Sequence, residues 1–70
     1  MRGTVTRFDE GRGAGEIAGR DGVAYPFHAT VIADGSRTIA NGVEVEFDVA
    51  AGHRGQWEAA AVRPIEDQAG

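Results

Sequence analysis

The chain has 70 residues, a net charge of −4, seven arginines and neither lysine nor cysteine. That length makes one small domain, whose folding buries only about 60% of the unfolded surface, so each large apolar residue matters. Without cysteine, disulfides and thiolate metal sites are excluded, no run approaches the roughly 20 apolar residues of a membrane span, and the acidic balance argues against non-specific phosphate binding.

The opening "MRGTVTRF" has no apolar leader segment, so the chain reads as cytoplasmic. A first strand is predicted from about Gly3 to Phe8, and a second from about Gly15 to Ala18. The glycine-rich "GRGAG" lies between them. It lacks the spacings of phosphate-cradling loops and no helix follows it, so it reads as a β-turn. The third strand runs from about Val23 to His28, with Val23, Tyr25 and Phe27 on one face and Ala24, Pro26 and His28 on the other. One short helical turn is expected near Thr30 to Ala33, followed by a loop. The fourth strand, Val43 to Val49, alternates strictly. Val43, Val45, Phe47 and Val49 face inward, and Glu44, Glu46 and Asp48 form a wet acidic face. The last strand runs from about Trp57 to Pro64, and residues 66–70 read as a short tail after a domain spanning 1–65. Turn pairs such as Asp21-Gly22, Asp34-Gly35 and Asn41-Gly42 punctuate these strands. The fold class is therefore all-β: five antiparallel strands in a small barrel, closed so that no edge is left exposed.

The order of these residues resembles the bacterial cold-shock domain, a five-stranded Greek-key OB-fold barrel with a short helical turn after the third strand. Gly3-x-Val5 and Phe8-Asp9 resemble its opening strand, and Arg12-Gly13-x-Gly15-x-Ile17 its first ribonucleoprotein motif. His28-x-Thr30-x-Ile32 resembles the end of the second motif and the turn after it. Asp34-Gly35-x-Arg37-Thr38-Ile39, Gly42 and Val45-Glu46-Phe47-x-Val49 follow the long loop and fourth strand. Ala59-Ala60-x-Val62-Arg63-Pro64 resembles the last strand. The resemblance implies binding of single-stranded RNA or DNA, with bases stacked on aromatics of the first three strands and basic residues holding phosphates. Gene regulation is the setting it implies.

The chain departs from that pattern on the binding face. Arg7 stands at the position of the first-strand tryptophan, and Ala14 and Glu16 at those of the two motif phenylalanines. Pro26 replaces the third-strand phenylalanine, Ala29 and Ser36 replace two further aromatics, and Thr6 replaces a lysine. The core positions Val5, Ile17, Tyr25, Phe27, Ile32, Val45, Phe47 and Val62 are kept. Losing four or five stacking groups weakens binding by roughly a thousandfold if the effects add. The candidate nucleic-acid-binding residues are Arg7, Phe8, Arg12, His28, Arg37 and Trp57, and the expected affinity is low and salt-dependent.

Several of these residues carry two readings. Arg7 and Glu16 are expected to form a cross-strand ion pair on a solvated face, and Arg7 could instead stack its guanidinium on a base. Pro26 predicts a bulge or an unpaired position in the third strand. Trp57 either covers the barrel end as core or stands at the rim as an anchor for a base or a partner protein, with His53 and Arg54 beside it. An OB-type protein-interaction module using Trp57 and the Arg7/Glu16 face is the alternative to nucleic acid. An enzyme is not expected: His28, Ser36 and Asp48 can be written as a triad, but nothing orients them. Two histidines without cysteine make no metal site, and no cofactor is implied.

Overall fold

The structure is a computed structural model that describes residues 1–52 and 55–65. The residues read as a tail, 66–70, and His53 and Arg54 beside Trp57 lie outside the described residues. Five strands follow in chain order: β1 (Arg2–Asp9), β2 (Ala14–Gly19), β3 (Ala24–His28), β4 (Glu44–Ala51) and β5 (Trp57–Pro64). A single 3₁₀ turn, Ala29–Val31, follows β3, one residue earlier than the sequence suggests. The strands pair antiparallel in the order β3-β2-β1-β4-β5. A three-stranded meander with a fourth strand returning beside the first is a Greek key, and the architecture is that of an OB-fold barrel.

The expected full closure is not found: the hydrogen-bonded sheet stays open between β3 and β5. Among the described residues β3 and β5 pack against each other but share no hydrogen-bonded strand pairing. The seam is stitched just past the 3₁₀ turn, where Ile32 bridges Val62 and the Ala33 N–H donates to the Val62 carbonyl at 2.7 Å. Pro26 helps explain the gap. Its pairing with Glu16 is in unbroken register with the rest of β2 and β3, so the expected bulge is not there. The Ala29 N–H donates to Gly13 and the Gly19 N–H to Val23, which fixes the hydrogen-bonded pairs at alternate positions. Glu16/Pro26 falls on a non-hydrogen-bonded position, so the nitrogen of Pro26 faces the open seam. A proline there blunts an edge at no cost to the ladder.

Two bulges shape the barrel. In β1, Thr6 is the extra residue between the pairs Val5/Ile17 and Arg7/Glu16, and its hydroxyl donates to the Glu16 carbonyl at 3.2 Å. In β5, Ala61 and Val62 together oppose Phe47, and Ala61 sits at φ 50. A positive φ on a non-glycine residue is uncommon, and a left-handed first position is the G1 form of bulge, in which glycine is the usual residue.

The core is made of Val5, Ile17, Tyr25, Phe27, Ile32, Val45, Phe47 and Val62, as the sequence predicts, together with Ala29 and Ala59. Phe47 is the largest fully buried side chain and its ring tilts against Tyr25 at 5.2 Å between centroids. Two residues that alternation places on a face with core side chains, Val23 and Val49, are nevertheless exposed. Val23 precedes β3 and is exposed, because its N–H is turned onto the Asp21 carboxylate at 3.0 Å. Val49 is also exposed: β1 flanks β4 only as far as Phe47, and the β4–β5 hairpin runs on past the strands that would cover it.

Candidate nucleic-acid interface

The register of the meander sets out its outer face in rows. Arg7, Glu16 and Pro26 form one row, and Asp9, Ala14 and His28 the next. The Thr6 bulge is what makes Arg7 face Glu16, since without it Gly15 would lie opposite. The guanidinium and carboxylate are 3.9 Å apart, and both groups are solvated. This is the expected cross-strand pair, at the outer limit of an ion pair, and it contributes at most about 0.5 kcal/mol.

Phe8 belongs to the opposite side of the sheet. It pairs with Gly15, which pairs with Phe27. The Phe8 ring stacks on Phe27 at 5.8 Å and 13°, and it packs against the core. A Cβ on Gly15 would meet Phe27 ring atoms at 2.9 Å, so only glycine lets the ring cross there. Of the six candidates, Phe8 is thus the one held inward and half buried.

Arg12, His28 and Arg37 come together from three segments. Asp9 ends β1 by accepting from the N–H groups of Gly11 (2.9 Å) and Arg12 (3.3 Å) on one carboxylate oxygen. Gly13 then turns the chain at φ 65. His28 ends β3 with its side chain exposed. Arg37 is brought in by the long loop. The Asp34 carboxylate accepts from the Ser36 N–H, Arg37 adopts φ 60, and the Thr38 hydroxyl donates to Glu10 at 2.9 Å. Hydrogen bonding to Ser36, the backbone N–H foremost, holds the Asp34 carboxyl below its ordinary pKa. Arg12, His28 and Arg37 line one depression of about 390 Å³ with Glu10, Gly13 and Thr30.

Arg12 also lines a second depression, of about 370 Å³, with Arg7, Asp9, Ala14 and Pro26. Pro26 in turn lines a third, of about 380 Å³, with Glu16, Val23, Ala24, Gln56 and Trp57. The shared residues make the three a shallow trough, basic at one end and ending on Trp57 at the other. Trp57 is 59% exposed, so it stands at the rim and the core reading is excluded. The trough holds Arg7, Arg12 and Arg37 against Asp9, Glu10 and Glu16. The β4–β5 side is more acidic, and there Arg63 bridges Glu46 and Asp48 at 3.5 and 4.0 Å.

Sequence reasoning names the basic and aromatic members of the trough but not its organisers. The Asp9-x-Gly11 turn carries a local signal. The Thr38–Glu10 bond, 28 residues apart, carries none. Among the described residues no three metal-ligating side chains gather, and no helix is long and apolar enough to cross a membrane.

The chain matches the family described as the "cold-shock" DNA-binding domain over residues 1–65. It is 38% identical over 68 residues to the cold shock-like protein CspD of Vibrio cholerae serotype O1, covering 94% of this chain and 88% of that protein.

Proposed function

The chain belongs to the cold-shock DNA-binding domain family, and from that membership we propose that it binds single-stranded RNA or DNA along the trough, weakly and in a salt-dependent way. One observation carries this reading: Arg12 is common to two of the depressions and Pro26 to the next two, so the three lie side by side as one path across the meander. The path has the parts a single-strand groove needs, cations for phosphates and an aromatic face for a base. Arg12, Arg37 and Arg7 take phosphates, His28 offers an imidazole for stacking or hydrogen bonding, and Trp57 stacks a base. Phe8 supports the sheet beneath Gly15 instead of meeting the ligand with its full ring. Low affinity follows from the trough's balanced charge and from Ala14, Glu16 and Pro26 at positions where aromatics would stack bases. The arginine–phosphate contacts make binding weaken as salt rises, because each one releases a condensed counterion.

An amide-shift NMR titration with a thymidine-rich single strand and an RNA of the same length tests this, at low and then physiological salt. Saturable shifts at Arg7, Arg12, His28 and Trp57 that shrink with salt are expected. Silence along the trough at low salt would remove nucleic acid as the ligand.

A further inference from the structure

Glu16 sits in the middle of a path proposed for a polyanion. A carboxylate there repels phosphate, and no buried partner neutralises it: Arg7 reaches it only at 3.9 Å and both are solvated. Its surroundings on the other side are different. Glu16 faces Pro26 across a non-hydrogen-bonded pair, the arrangement in which cross-strand side chains lie closest. Beyond Pro26, across the open seam, stands the exposed indole of Trp57, with Val23, Ala24 and Gln56 completing the wall. One charged acceptor and one neutral amide among apolar and aromatic walls is the composition of a small-ligand site. The other depressions have comparable volumes, so it is the lining and not the size that singles this one out.

The chemistry narrows the ligand. An ionised carboxylate only accepts hydrogen bonds. Guanine presents two adjacent donors on its Watson–Crick edge, N1–H and the N2 amino group, which match the two carboxylate oxygens in a bidentate, charge-assisted pair. Cytosine and adenine present one amino group beside a ring acceptor. Thymine and uracil present one N–H between two carbonyl oxygens that the carboxylate repels. We infer that Trp57, Pro26 and Glu16 form a pocket for a single guanine, stacked on the indole and read by the Glu16 carboxylate. The inference rests on the single-strand reading above and adds base selection to it. It gives Glu16 a role at the one place where a negative charge discriminates between bases, while Arg7 beside it takes the neighbouring phosphate.

Trp57 is the single tryptophan of the chain, so its fluorescence reports on the pocket alone. The test compares an end-labelled oligothymidine of about eight nucleotides, within the span of one OB barrel, with the same strand carrying one central guanine. Label anisotropy reads binding and indole emission reads occupancy. The guanine strand is expected to bind about tenfold more tightly, the scale of one bidentate base contact, and to change Trp57 emission at saturation. Glu16→Gln should cut the preference to about twofold or less while tightening oligothymidine, because a negative charge leaves the path. Trp57→Ala should abolish the preference, and Trp57→Phe should retain part of it. All three changes lie outside the core, and an unchanged thermal midpoint confirms folding. Equal affinity for both strands, or a preference that survives Glu16→Gln, overturns the pocket and leaves single-strand binding standing. Unchanged anisotropy with both strands overturns single-strand binding and the pocket with it.

Discussion

The two faces of the β1–β2–β3 meander are built from neighbouring residues of the same strands, and they obey different constraints. Val5, Ile17, Tyr25 and Phe27 point inward and are at most 5% exposed. Arg7, Ala14, Glu16, Pro26 and His28 point outward and touch mostly solvent and one another. On the inner face each side chain is fixed by the volume its neighbours leave, so changes there cost stability. On the outer face nothing but the ladder beneath must be satisfied, so aromatics can give way to Ala, Glu and Pro without disturbing the fold. Pro26 is the extreme case, harmless because its nitrogen points into a seam that carries no ladder. The residues that set the fold and those that set the outer face are therefore separable in this molecule, residue by residue.

The largest expected effect breaks the inner face. Phe47→Ala removes the largest fully buried side chain and should cost about 3–5 kcal/mol. A core of this size supplies little more than that, so urea titration followed by circular dichroism should find the variant unfolded or nearly so in water. Retention of a cooperative transition near the parent midpoint would contradict the packing described here.

On the outer face, Glu16→Phe should leave stability within about 0.5 kcal/mol and tighten binding of oligothymidine about tenfold, by adding a stacking surface and removing a charge. Isothermal titration beside a thermal melt separates the two quantities. Next in size, Arg12→Ala should weaken binding and lower the slope of log K against log salt by about 0.7, the share of one phosphate contact on a single strand. Arg37→Gly sharpens the comparison because it removes a cation and a positive-φ side chain together. Binding should fall while the thermal midpoint holds or rises.

Smaller effects concern backbone and pH. Ala61→Gly relieves a left-handed bulge residue at the cost of a looser unfolded chain, and a net gain of less than about 1 kcal/mol in chemical denaturation is expected. The smallest effect is a slope. The Asp21 carboxyl is held below its ordinary value, first by the Tyr25 hydroxyl and then by the Val23 N–H. Its contribution is complete above the unfolded pKa of about 3.9 and is lost as pH falls through the lower folded value. Asp21→Asn should flatten the acid limb of a stability–pH curve below about pH 4. The same bond raises the Tyr25 phenol, whose contribution is complete below about pH 10 and lost as pH rises through the higher folded value. Tyr25→Phe should flatten that alkaline limb.

Much of the fold is legible because it is local. Alternation marks β4, turn pairs mark its neighbours, and the order of small and apolar positions resembles one family closely enough to imply Greek-key connectivity. What escapes is set by neighbours distant in sequence. Val49 alternates perfectly and is exposed because β1 stops flanking β4 at Phe47. Pro26 looks like a strand breaker and is regular because its phase in the β2–β3 ladder turns the missing donor outward. In the site, Arg7 opposite Glu16 can be guessed from two substitutions on adjacent strands, but the Thr6 bulge that aligns them cannot. Phe8 reads as part of the binding face, and its phase after that bulge sends the ring to Phe27.

The sequence by itself determined the five strands and the alternation of β4, because each depends on residue type at a fixed local spacing, and its resemblance to the cold-shock domain supplied the expected strand order, the eight core positions and the absence of the usual stacking aromatics. Only the tertiary structure decided that Arg37 joins Arg12 and His28, that Trp57 stands across an open seam from Pro26 and Glu16, and that three shallow depressions run together. Those relations depend on how loops and bulges bring distant segments to one surface, and no short-range pattern in the chain encodes that.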